Sequence, residues 1–145
     1  MSNFTPENAD FAERVRSSFE SQSIMQLLGA RLVGCEPGRC IIELPFNDNL
    51  CQQNGFFHAG VTSTIADSAG GYAGFTLMPA NADVLTVEFK ISLLRPAAGE
   101  LMIAQGQVIR AGRNLTFTEV TVSVGSHDNM KICASMSQTL ACITR

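Results

Sequence analysis

The sequence predicts an α+β domain in which an antiparallel sheet wraps around one central helix. Three features carry that expectation. Across residues 49–82 the only Asp, Glu, Lys or Arg is Asp67. Within that stretch, residues 58–77 (HAGVTSTIADSAGGYAGFTL) are rich in Ala, Gly, Ser and Thr and do not alternate cleanly. They read as a helix whose small side chains let it be buried on most sides. Downstream, alternating apolar and polar runs separated by turn chemistry read as antiparallel strands.

The elements follow in order. The chain has 145 residues, the size of one domain, taken as 1–145 with an N-terminal helical segment at 1–29. Thr5, Pro6 and Glu7 supply a capping hydroxyl, a proline for the first helical position and acid in the first turn. With Phe11, Val15 and Phe19 at four-residue spacing, they predict an amphipathic helix from that cap to residue 20. A second apolar turn at 24–28 ends at Gly29. In 39–46, Cys40, Ile42, Leu44 and Phe46 alternate with polar Arg39 and Glu43 as a half-buried strand. After the small-residue helix, Leu85, Val87, Phe89, Ile91 and Leu93 share one strand face until Arg95 and Pro96 end the run. Residues 101–109 form the next strand. In 114–124 the apolar phase moves from Leu115 and Phe117 to Val120, Val122 and Val124, which predicts a bulge near Glu119. Ile132, Ala134, Met136, Leu140 and Cys142 make the last strand, and the turns at 111–114 and 125–129 make a meander of these strands.

Composition narrows the function. The chain is 46% hydrophobic and 16% charged with a net charge of −3, which offers no basic footprint for a nucleic acid. Asp67, Gly70, Gly71, Gly74 and Pro79 argue against a membrane span through the uncharged stretch. The start shows no basic end followed by an apolar run, so a cytoplasmic protein is expected. Five cysteines are an odd number without a C-x-x-C pair, which suits reduced, mostly buried thiols better than a disulfide framework or a zinc site. No metal is expected. Gly70, Gly71 and Gly74 lie inside the helix without a preceding strand, so they do not form a phosphate-binding loop.

The uncharged stretch also holds the candidate chemistry. On one helix His58 and Asp67 would stand about 13.5 Å apart along the axis and roughly 180° around it. They cannot serve one substrate atom from one chain. If both act, the helix start of one subunit must meet Asp67 of another, as a two-fold dimer would arrange. Backbone amides near Ala59 and Gly60 can hold a carbonyl oxygen that gains negative charge in acyl transfer. Asp67, flanked by Ile65, Ala66 and Ala69, can act as a poorly solvated base or nucleophile, or can be a buried carboxylate satisfied by nearby donors. The plainer reading of His58 is a capping or core histidine. His127, beside Asp128, reads as a solvated turn residue. Cys51 is a thiol near His58 that nothing else marks as a nucleophile, and Phe56 and Phe57 read as core.

The run Gln52-Gln53-Asn54-Gly55-Phe56-Phe57-His58-Ala59-Gly60 is followed by Ile65-Ala66-Asp67-Ser68 and Leu85-Thr86-Val87-Glu88-Phe89. Leu94-Arg95-Pro96-Ala97 then precedes Gly99-Glu100. Together they resemble the hotdog-fold acyl-CoA thioesterases of the PaaI-like, phenylacetic acid degradation-related branch over nearly the whole chain. The resemblance implies a hotdog fold, five or six antiparallel strands around a long helix. It also implies dimers, often paired into tetramers, with the active site at the dimer interface. By it Asp67 is the catalytic carboxylate, as general base or nucleophile. Ala59 stands for the first glycine of a His-Gly-Gly motif, whose amide polarises the thioester carbonyl, and Gly60 for the second. Thr86 positions the water, and His58 supports the loop and the carbonyl's surroundings. The family's Asn six residues before the histidine falls on Gln52, with Asn54 as an alternative. The methyl group of Ala59 is harmless at helical φ and damaging at φ > 0. Phe56, Phe57 and Tyr72 would set the depth of the acyl pocket, and Arg95 and Arg113 are cations available to the coenzyme A phosphates.

The implied activity is hydrolysis of an acyl-CoA thioester to free acid and coenzyme A, with no metal or redox cofactor, coenzyme A being part of the substrate. A hotdog hydratase or dehydratase acting on the acyl chain, and an acyl-CoA-binding module without catalysis, are the rival readings.

Overall fold

The computed structural model describes residues 3–145, so Met1 and Ser2 of the 1–29 segment lie outside the described residues. Two helices come first, α1 (Phe11–Ser21) and α2 (Ser23–Leu28). Strands β1 (Arg31–Glu36) and β2 (Arg39–Pro45), a 3-10 turn (Asp48–Leu50) and the long helix α3 (Ala59–Phe75) follow. The chain ends in β3 (Ala82–Leu93), β4 (Leu101–Ala111), β5 (Leu115–Ser126) and β6 (Asn129–Thr144). The strands make one antiparallel sheet in the order β1-β2-β4-β5-β6-β3. Helix α3 packs against β2 to β6, so the sheet wraps it as a hotdog fold requires.

Small residues let helix and sheet approach closely. A Cβ on Gly106 of β4 would collide with the Ala69 carbonyl of α3, and one on Gly74 would collide with Leu140 of β6. Ile65, Ala66, Ala69 and Ala73 are fully buried between the layers. Helix α1 contributes Val15 and Phe19 to the same core, as their spacing predicts. Helix α2 stops at Gly29, whose φ of 80° closes a left-handed cap. None of the described helices is long and apolar enough to cross a membrane.

Four expectations change. Residues 5–10 are not helical, because Asn8 accepts the Asp10 amide at 3.0 Å and closes a local turn, so α1 begins at Phe11. The strand β1 has no counterpart in the pattern, since its register shifts between Leu32 and Gly34 and breaks the alternation. The irregularity near Glu119 lies on β4 and not on β5, where the register shifts between Val108 and Arg110 opposite Thr118 and Phe117. In β5 the residues Thr116, Thr118, Val120, Val122 and Val124 all point inward, leaving Leu115 and Phe117 outside, and the β5–β6 register shift falls between Val122 and Ser123. In β3 the predicted single apolar face is interrupted at Val87, where the register with β6 shifts between Thr86 and Glu88. Thr86 pairs with Leu140 and Phe89 with Gln138, so the bulge turns Thr86 and Phe89 to the helix side and Leu85 to the other.

All five cysteines are free thiols. Cys40 and Cys133 are buried, and Cys35, Cys51 and Cys142 are half-buried.

Candidate functional site

Helix α3 positions two groups at separate places. At its start His58 is the N-cap, and its Nδ1 accepts the Gly60 amide at 2.8 Å. With Nδ1 an acceptor, the neutral ring carries its proton on Nε2. The amides of Val61 and Thr62 both go to the His58 carbonyl. Among the described residues that leaves the Ala59 amide as the donor without an internal partner, on an exposed residue with no positive φ. The methyl group of Ala59 therefore meets no backbone strain.

Further along, Asp67 sits half-buried in the middle of the helix. Its Oδ1 accepts the Thr86 hydroxyl at 2.7 Å and the Gln138 side-chain amide at 2.6 Å. Gln138 also donates to the Asp67 carbonyl at 3.1 Å, and its own Oε1 accepts the Thr118 hydroxyl at 2.8 Å. Thus α3, β3 and β6 meet on one carboxylate, and β5 supports it through Gln138.

Asp67 opens on a cavity of about 350 Å³, lined also by Ser18, Gln22, Ser68, Gly71, Tyr72, Val84, Leu85 and Thr86. A second depression of about 390 Å³ shares Gln22, Asp67 and Ser68 and extends to Ile24, Ser63, Thr64 and Phe89. The Tyr72 hydroxyl lies 3.1 Å from Ser18 Oγ and 3.4 Å from Gln22 Nε2, and Ser68 donates to Gln22 Oε1 at 2.9 Å. Burial pushes the Tyr72 phenol up, opposed by the Ser18 hydrogen bond, so it lines the cavity as a neutral hydroxyl.

Asp67, Thr86 and Tyr72 therefore converge, while His58, Ala59 and Gly60 stand at the exposed helix start of the same chain. Gln52 folds back on its own loop, its Oε1 accepting the Asn54 amide at 2.6 Å, and Asn54 is exposed. Phe56 is half-buried. Phe57 is 3% exposed and packs edge-on against Phe46 at 5.3 Å, so it belongs to the core and not to this cavity. Arg95 and Arg113 are exposed and line neither depression at Asp67, and Arg113 lines a larger groove of about 730 Å³ that does not include the carboxylate. The Cys51 thiol donates to the Asp48 carbonyl at 2.9 Å and holds its loop. Among the described residues, no three His, Cys, Asp or Glu side chains cluster as metal ligands would.

Sequence reasoning missed Gln138, Thr118, Ser18 and Gln22. For Gln138 a signal existed, since it occupies the inward slot between Met136 and Leu140, where period two calls for an apolar residue. Ser18 lies on α1 and Gln22 is its C-cap, and nothing local ties them to Tyr72.

Comparisons with known proteins bear on the family and the fold. The model of the thioesterase superfamily matches residues 54–130, which include α3, Asp67 and Thr86. A thioesterase family protein from Silicibacter pomeroyi is 42% identical, with a TM-score of 0.91 over 93% of this chain and 99% of its own. Human acyl-coenzyme A thioesterase 13 is 26% identical over 113 residues, 77% of this chain and 80% of its own. The Escherichia coli PaaI protein from the phenylacetic acid degradation operon, 17% identical, shares the fold with a TM-score of 0.82 over 94% of this chain and 96% of its own.

Proposed function

The chain belongs to the thioesterase superfamily, and within that class of thioester hydrolases we propose that it cleaves acyl-CoA thioesters at a site shared by two subunits. The observation that carries this reading is the lone carboxylate of a buried helix, anchored through Oδ1 and lining a cavity.

In this mechanism a water beside Asp67 attacks the thioester carbonyl while Asp67 takes its proton as general base. The carbonyl oxygen, gaining negative charge, is received by the Ala59 amide at the helix start of the neighbouring subunit, with Gln52 or Asn54 nearby and His58 holding the cap. Collapse of the tetrahedral intermediate breaks the C–S bond. The proton passes from Asp67 to the leaving sulfur, giving a free acid and coenzyme A.

Two facts support sharing the site. Asp67 and the Ala59 amide lie at different turns of one helix, about 12 Å apart along its axis. The edge strand β3 leaves Leu85 and Val87 each 59% exposed and Leu93 54% exposed, a long apolar edge suited to a second copy. Dimers, or dimers paired into tetramers, and a cytoplasmic setting complete the proposal, with Phe56 and Tyr72 bounding the acyl group and Arg95 or Arg113 meeting coenzyme A phosphates.

Thiol release from short, medium, long and aromatic acyl-CoAs tests it. At least one class should be turned over, and Asp67→Asn should lower kcat by about 100-fold or more. Equal rates for the two proteins would sink the general-base role. Binding without turnover would favour a carrier module, and loss of the acyl double bond or gain of water across it would favour a hydratase.

A further inference from the structure

We propose that Gln138 is a positioning residue of the hydrolytic site, holding the plane of the Asp67 carboxylate so that the oxygen it does not bind acts as the base; this rests on Asp67 being that base. Gln138 is a polar side chain, 3% exposed, on an inward strand face it shares with Ala134, Met136 and Leu140. An amide buried there is stable only when its hydrogen bonds are met. Its Nε2 lies 2.6 Å from Asp67 Oδ1 and 3.1 Å from the Asp67 carbonyl, while Thr118, 2% exposed on β5, donates to Oε1 at 2.8 Å. The opposite orientation would set the amide oxygen against a carboxylate oxygen at the same short distance, two acceptors face to face. The hydrogen bonds thus run one way, from Thr118 through Gln138 to Asp67. Helix α3 makes room for this relay at Gly70, where a Cβ would collide with Gln138 Oε1 and would lie 2.9 Å from Thr118 Oγ1.

The consequence for chemistry is geometric. Oδ1 receives two short donors, from Gln138 and Thr86, whereas among the described residues Oδ2 receives none. Any rotation short of a full flip, which only exchanges two equivalent oxygens, would break both bonds, so the carboxylate plane is held. Oδ2 is therefore the oxygen presented to the water, in one orientation, without reorganisation during the reaction.

The test compares kcat and KM for wild type, Gln138→Leu, Thr118→Val and the double variant, with Asp67→Asn alongside. Leucine fills the space without a donor, so Gln138→Leu should lose roughly 10- to 100-fold in kcat with KM within about twofold. Thr118→Val should lose less, because it frees the amide to turn without removing it. The double variant should be no worse than Gln138→Leu alone, since both act along one relay. Wild-type kcat in Gln138→Leu beside an inactive Asp67→Asn overturns the positioning role and leaves the thioesterase reading standing. An additive double variant, or a rise in KM with kcat kept, also overturns it. Full activity of Asp67→Asn overturns the thioesterase mechanism and the positioning role with it. Should Gln138→Leu fail to fold, judged by circular dichroism, Thr118→Val decides: unchanged kcat there counts against the relay.

Discussion

The Thr86 hydroxyl has one proton, and at 2.7 Å from Asp67 Oδ1 that proton is committed to the carboxylate. One lone pair accepts the Gln138 amide at 3.4 Å and the other remains, so a water facing the pair can direct one hydrogen to Thr86 and the other to Asp67, and its own lone pair then points away from both. That is the posture of an attacking nucleophile. Thr86→Val keeps the shape and removes both roles, so kcat/KM should fall by about 10- to 100-fold, the value of a hydrogen bond to a charged group. Thr86→Ser retains the hydroxyl and should stay within about threefold of wild type. Initial rates of thiol release check both, and a loss in Thr86→Ser with Thr86→Val at the wild-type rate would show that the methyl group, not the hydroxyl, matters. Nearby, Tyr72 is raised by burial and remains a neutral phenol through the ordinary working pH range, so its variants should alter acyl preference without adding a pH step.

At the scale of elements, the far end of α3 depends on α1. The Arg14 guanidinium donates to the carbonyls of Phe75 and Met78 at 3.0 and 2.8 Å, also donates to Pro79, and stands 4.1 Å from the Phe75 ring. Phe75 closes α3, and Met78 and Pro79 follow in the turn after it, so one cation ties the helix end to the chain that leaves it. Arg14→Ala should cost about 2–3 kcal/mol and lower the unfolding midpoint by about 5–10 °C, with kcat of the folded protein kept. A melting curve unchanged within a degree would show the cap to be idle. Much of this architecture is legible in the chain: the even spread of small residues in α3 announces burial all round, and its single carboxylate announces the site. What escapes is which side of a strand faces inward. Leu115 and Phe117 look like core by hydropathy, yet they lie outside while Thr116 and Thr118 lie inside. The period of a strand tells which residues share a face, and only the partner layer tells which face is covered. The same limit hid Gln138, which is polar and buried because Asp67 and Thr118 await it. Ser18 and Gln22 reach Tyr72 only through the packing of α1 on α3, a contact across some fifty residues that no local pattern encodes.

For the whole molecule the decisive question is whether one subunit can complete a site by itself. The Ala59 amide and Asp67 belong to one rigid helix, and bending it to bring them together would break the close contact of Gly106 and Gly74 with their neighbours across the layers. A two-fold pairing along the β3 edge removes the conflict, because each subunit then lends its helix start to the other's carboxylate. Complementation separates the two cases. Asp67→Asn removes the base, and Ala59→Pro removes the amide at the first helical position, where proline fits without distortion. Each homodimer should be nearly inactive. Co-expressed in equal amounts with different tags, the two chains pair at random, so half the dimers are mixed. In each mixed dimer one site receives both lesions and the other receives neither. The mixture should therefore recover about a quarter of wild-type activity, and purified mixed dimers about a half. Light scattering on the wild type should give a dimer or a tetramer, and Val87→Asp on the exposed edge should lower both the assembled mass and the activity. Activity in the mixture that equals the mean of the two parents, or a fully active monomer, would place the whole reaction within one chain and overturn the shared site.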